Sequence, residues 1–180
     1  MRNRFVTAVE PVRLMLADVH VRAHKALIDR KKPEATLEEL QDSQARVDAA
    51  LADGAWIEIK PELTAGETRI AQTRAMAPQS DDDVARGARP RVDYRNVGFA
   101  RLAMYLLGWN IEDEHGLVEI PMGDDESAIA ARETLLKRLD EATFAEIAAT
   151  LAWYEAETEK RRAGNPTAPP ASAATFASRA

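Results

Sequence analysis

The sequence predicts a mainly helical α+β fold: small antiparallel β-hairpins packed with about five to six helices, and a helical hairpin inserted in the first β-hairpin. Three observations carry this expectation. Two short alternating runs, "PVRLMLA" and "AWIEIK", read as strands. Segments of helical periodicity lie between and after them, three of them marked by T-x-x-E capping boxes. The chain of 180 residues, 46% hydrophobic and 30% charged, is long enough for one domain with a real core.

The elements follow in order. In "PVRLMLA", Val12, Leu14 and Leu16 point one way and Arg13 and Met15 the other. In "AWIEIK", Ile57 and Ile59 share one face, and Trp56, Glu58 and Lys60 the other, after a turn signal at Asp53-Gly54. Residues 18–53 separate the two runs and read as an αα-hairpin. Its first helix carries Val19, Ala23, Ala26 and Leu27. Its second is opened by Thr36 and Glu39 and carries Leu37, Leu40, Val47 and Leu51 at heptad-like spacing. That seam is narrow, so the pair is expected to project from the body or lie on a partner.

After Pro61, Thr64 and Glu67 open a short helix reaching about Met76. "APQSDDDVARGARPR" reads as a loop, acidic first and then basic. Asp93 or Asn96 caps the next helix, which is apolar nearly all round from Phe99 to Leu107 and ends at Gly108. "WNIEDEHGLVEIP" reads as a second β-hairpin, with Trp109 and Ile111 before the turn and Val118 and Ile120 after it. Two amphipathic helices close the domain. The first buries Ile129, Leu135, Leu136 and Leu139. The second is opened by Thr143 and Glu146, carries Phe144, Ile147, Leu151 and Tyr154, and stops at "KRRAGNP". The domain is expected over residues 1–164. Residues 165–180, rich in Ala, Pro, Ser and Thr, are expected to be a disordered tail with one aromatic, Phe176.

Composition narrows the function. A net charge of −6 argues against nucleic acid or anionic membrane as partners. Without cysteine there is no disulfide, thiolate metal site or cysteine nucleophile. The basic start "MRNRF" is not followed by an apolar signal-peptide region, and "FARLAMYLLGW" is too short and too interrupted to span a bilayer. A cytoplasmic location is expected.

No phosphate-binding loop, dinucleotide fingerprint or nucleophile elbow occurs. His20 and His24 stand four apart on a helix, but no third metal ligand is obvious. Asp113, Glu114 and His115 sit in a turn where polar residues are ordinary, and Asp81 to Asp83 lack a calcium-loop pattern. Arg86, Arg89 and Arg91 are offset by the adjacent acids. Expected are no catalytic residues, no cofactor and no metal. Aromatics carry more information. Trp56 lies on the charged face of its strand, and Trp153 and Tyr154 are adjacent on the last helix, so both cannot point the same way. Trp56, Trp153, Tyr154 and Trp109 are the candidate partner-binding residues. For Trp56 the competing reading is that a second layer of the same domain covers it.

The succession "VRLMLA", "GAWIEIKPELTAGE", "ARLAMYLLGWNIEDEHGLVEIP" and "LDEATFAEIAATLAWYE" resembles the tail assembly chaperones of long-tailed bacteriophages and prophages. That family shows a W-[IV]-x-[IV]-K-x-x-L-x-x-G-E-like stretch, an apolar helix running into a W-x-[IVL]-x-D-x-x-G turn, and a helix opened by a T-x-x-E-like step. The match covers residues 11–17, 54–76 and 91–162. The helical pair at 18–53 departs from the pattern.

The resemblance implies a non-enzymatic protein of the host cell cytoplasm. It would bind the helical tape measure protein and keep it soluble while the tail tube polymerises. The tail tube protein and self-association are further partner expectations. A frameshifted longer form is usual in the family, and residues 165–180 would suit a linker into it. The alternative is a virion structural subunit, a head–tail connector or tail completion protein. A small enzyme would need convergent polar groups in a pocket.

Overall fold

The computed structural model describes residues 10–29, 35–77, 85–87, 89 and 91–164. The tail with Phe176, Asp81 to Asp83 and the first nine residues lie outside them. Among the described residues the order is β1 (Val12–Met15), α1 (Ala17–Ile28), α2 (Leu37–Asp53), β2 (Trp56–Ile59), α3 (Ala65–Arg74), α4 (Tyr94–Tyr105), β3 (Leu106–Trp109), β4 (Glu112–Asp113), β5 (Gly116–Leu117), α5 (Glu126–Leu136) and α6 (Glu141–Gly164). The fold is mainly helical α+β, with a three-stranded antiparallel sheet in the order β1-β2-β3 and a two-stranded β4-β5 ribbon.

β1 and β2 pair with Val12 opposite Ile59 and Met15 opposite Trp56. Leu16 N–H donates to the Ala55 carbonyl (2.9 Å), so α1 and α2 are grafted into the tip of a β-hairpin. The capping boxes at Thr36/Glu39 and Thr64/Glu67 both close reciprocally. Gly54 ends α2 with φ 65°, the left-handed conformation in which a Cβ is unfavourable.

Three local readings are corrected. The apolar helix stops at Tyr105, not Leu107, and Leu106–Trp109 becomes the third strand, with Ile57 opposite Trp109 and Ile59 opposite Leu106. A short, fully apolar run suits a buried helix and a buried strand equally. Here the free edge of β2 decides, and Lys60 N–H continues the pairing to the Tyr105 carbonyl (2.8 Å). Gly108 is therefore a strand residue rather than a helix stop. The second hairpin keeps its predicted turn, with Gly116 at φ 108°, but shrinks to β4 and β5 because Trp109 belongs to the main sheet. Val118 lies past β5 and still donates to the Ile111 carbonyl (3.0 Å). Finally, Asp140 rather than Thr143 caps α6: its Oδ1 accepts Thr143 N–H (3.0 Å), and Glu146 turns to His20 instead.

The inner face of the sheet (Leu14, Ile57, Ile59, Leu106, Trp109) forms one core with Leu102 and Met104 of α4, Ile129 and Leu136 of α5, and Ile147 and Leu151 of α6. Leu135, Leu139, Phe144 and Tyr154 pack against its margin. The inserted pair does not project freely. α1 meets α6 through His20–Glu146 (2.8 Å) and through Arg22, whose guanidinium lies 3.5 Å from the centre of the Trp153 ring. The heptad row of α2 splits: Val47 is buried, while Leu37 and Leu51 are 72% and 58% exposed.

Candidate functional site

Alternation along β1 and β2 sends Leu14, Ile57 and Ile59 inward, so Arg13, Met15, Trp56 and Glu58 must stand on the outer face. Pairing makes these neighbours. Met15 is opposite Trp56, Arg13 opposite Glu58, and Glu58 opposite Gly108 on β3. Trp56 leans across the missing side chain of Gly108, where a Cβ would lie 3.7 Å from its Cζ3. The Arg13 guanidinium covers the ring at 3.8 Å and reaches Glu58 Oε2 at 3.4 Å. Met15 stays 37% exposed. The backbone under Trp56 is fixed by Asn110, whose Oδ1 accepts Trp56 N–H (2.7 Å) while its Nδ2 donates to the Gly54 carbonyl (3.1 Å). The result is an aromatic platform on the sheet, overlaid by the Arg13 guanidinium.

The four predicted aromatics are not brought into one patch. Trp153 is half-buried on α6, which packs against the opposite side of the sheet, under Arg22. Burial of Arg22 holds its guanidinium pKa below the ordinary value despite nearby Asp18 and Glu157. Tyr154 is half-buried, and its hydroxyl donates to the Pro61 carbonyl (3.3 Å). Trp109 is 4% exposed and donates its indole N–H to the Val118 carbonyl (2.7 Å), so it is a core residue and offers no surface to a partner.

Below the platform, the end of β2 is tied down by charges. Lys60 Nζ reaches Glu67 Oε1 (2.5 Å) and Asp124 Oδ1 (2.6 Å), and Glu67 also closes the α3 capping box. Partial burial alone lowers the Lys60 pKa, but the hydrogen bonds to Asp124 and Glu67 outweigh it and hold the ammonium above its usual value. Burial likewise raises Glu67, and the bonds from Lys60 and Thr64 outweigh it, leaving the carboxylate below its usual range. Asp124 is lowered by its bond from Lys60. Sequence reading missed Arg132. It is 3% exposed, and it donates through Nε to the Ala103 carbonyl (2.7 Å) and through Nη1 to those of Pro121 (3.0 Å) and Gly123 (2.8 Å). Its helical position among apolar neighbours was the available signal.

The other polar groups converge less. His20 and Glu146 line a cleft of about 320 Å³ with Arg46 and Asp53 over alanine floors. His24 is not at that pair. No group of three or more His, Asp or Glu side chains among the described residues could hold a metal ion. Asp113, Glu114 and His115 form an exposed turn in which Asp113 Oδ1 accepts His115 N–H (2.7 Å). Arg86, Arg89 and Arg91 are exposed. No helix among the described residues is long and apolar enough to cross a membrane. No protein-family model, curated protein or solved structure matches this chain.

Proposed function

We propose that this chain is a non-enzymatic tail assembly chaperone that binds a tape measure protein in the host cytoplasm and keeps it soluble until the tail tube grows around it. The observation that carries the reading is the outer sheet face, where exposed Met15 lies beside Trp56, a half-buried ring covered by the Arg13 guanidinium of the Arg13–Glu58 pair. An amphipathic client helix laid on this face would displace Arg13 from the ring and desolvate Trp56, the type of contact that anchors interfaces. The family-like stretch from Trp56 to Glu67 supports it. It is one mechanical unit here, a strand locked by Lys60–Glu67 to the cap of the following helix.

Co-expression with a tape measure protein tests the proposal. The client should be soluble with the wild-type chain and largely insoluble without it or with Trp56→Ala. A client equally soluble alone, together with this chain in purified virions, would establish a structural subunit instead.

A further inference from the structure

The inserted hairpin is held to the body by two unlike sets of contacts. At its base the backbone holds it: Leu16 N–H donates to the Ala55 carbonyl (2.9 Å), α1 begins at Ala17, and α2 ends at Gly54 in the left-handed conformation. Further out, side chains tie α1 to α6. His20 Nε2 lies 2.8 Å from Glu146 Oε1, and the Arg22 guanidinium stacks 3.5 Å from the centre of the Trp153 ring. No residue of α1 or α2 belongs to the main core or to the apolar side chains packed against it. The cleft of about 320 Å³ beside His20 and Glu146 opens along the same seam, so apolar packing does not close it.

That seam is also where buried polar groups go unmet. Arg22 donates through Nε to the Asp18 carbonyl of its own helix (2.7 Å), but Nη1 and Nη2 are shut off from solvent and have no hydrogen-bond partner among the described residues. Glu157, one turn beyond Trp153, is bonded to Lys160 instead (2.7 Å). His24 Nδ1 on α1 is likewise unpaired, and so is Thr150 Oγ1. Thr150 shares one stripe of α6 with Glu146 and Trp153, at offsets of four and three residues. Of the five buried side-chain polar atoms without a partner among the described residues, four thus lie on α1 or on this stripe. A buried donor without an acceptor forfeits its hydration, so these groups oppose the contact that the ion pair and the stack favour. We infer that the hairpin is a hinged arm, turning as a unit about Leu16–Ala17 and Gly54–Ala55 between a closed position latched to α6 and an open one that hydrates Arg22 and bares Trp153. Both hinge points are element termini, where a few residues absorb the backbone change of a domain motion. The core stays intact because it contains no side chain of α1 or α2. Opening therefore controls access to a tryptophan that the closed arm covers.

The chain has no cysteine, so Asp42→Cys on α2 and Ala152→Cys on α6, both exposed, accept a pair of nitroxide labels on the full chain. Double electron–electron resonance between them should show two distances, the longer from the open arm. His20→Ala and Glu146→Ala should each raise the open-to-closed ratio by about two- to fivefold, as expected of a partly exposed ion pair, and together no more than either alone. Far-UV circular dichroism should stay unchanged in each. Arg22→Met keeps a side chain over the Trp153 ring but removes the two unpaired donors, so it should lower the ratio. A stack that merely holds α1 in place predicts the opposite sign. A single distance in the wild type and in both latch variants, a ratio that neither latch variant moves, or a ratio that Arg22→Met does not lower would each overturn the proposal.

Discussion

The guanidinium of Arg13 lies 3.8 Å from the centre of the Trp56 ring, on the neighbouring strand of the sheet's outer face. The arrangement shields an apolar ring from water without burying it in the core, since the Arg13 side chain is itself 57% exposed. Such a stack contributes only about 0.5–1 kcal/mol at an exposed site. Trp56→Ala should therefore cost about 1–2 kcal/mol of stability, counting the ring area lost. Urea denaturation should show this modest loss while client solubilisation collapses. A loss as large as that of a core tryptophan would place Trp56 in the packing rather than at the interface.

The Lys60 cluster should make the fold acid-sensitive in a defined way. Glu67 and Asp124 titrate below their unfolded values in the folded chain, so their contribution is complete above about pH 5 and is lost as pH falls through the folded values. Lys60→Met should cost about 1–3 kcal/mol at pH 7, chiefly by stranding half-buried Glu67. The gap between wild type and variant in urea midpoint should narrow at pH 3. An unchanged gap would mean that lost packing of the lysine stem, not the ion pair, sets the cost.

Arg132 should be among the least replaceable side chains. It is the donor for the carbonyls of Ala103, Pro121 and Gly123, and so ties α4 to the approach of α5. Arg132→Met fills the volume but leaves the buried Ala103 carbonyl and the part-buried bonds to Pro121 and Gly123 without their donor, a loss of about 3 kcal/mol. For a chain of this size, that lowers the melting temperature by roughly 6–12 °C. Differential scanning calorimetry measures it, and a shift under about 2 °C would mean that water replaces the guanidinium.

The contrast between these residues and the capping boxes explains what the sequence could reveal. Thr36/Glu39 and Thr64/Glu67 are three apart, so their bonds are written locally, and both were legible. So was the β1–β2 pairing, because alternation fixes its register. β3 was not: Leu106–Trp109 continues an apolar helix without a break in pattern, and only the waiting edge of β2 converts it to strand. Lys60–Asp124, Arg132–Ala103 and His20–Glu146 join positions 64, 29 and 126 residues apart. No local period encodes such contacts. Trp109 was misplaced among the surface aromatics for the same reason, since its burial follows from β3.

The inserted hairpin supplies a last test. Because Leu16 N–H already bonds the Ala55 carbonyl, residues 16 and 55 flank the position of a two-residue turn. Replacing residues 17–54 by Asn-Gly should leave β1 paired with β2 and spare the core, which contains Leu14 and Leu16 but not Val47. The deletion removes the His20–Glu146 bond and uncovers Trp153, whose ring loses Arg22. The product should unfold cooperatively, with acrylamide quenching increased by exposure of Trp153. Loss of the cooperative transition would show that α1 and α2 hold α6 in place, which would make the insert part of the fold rather than an addition to it.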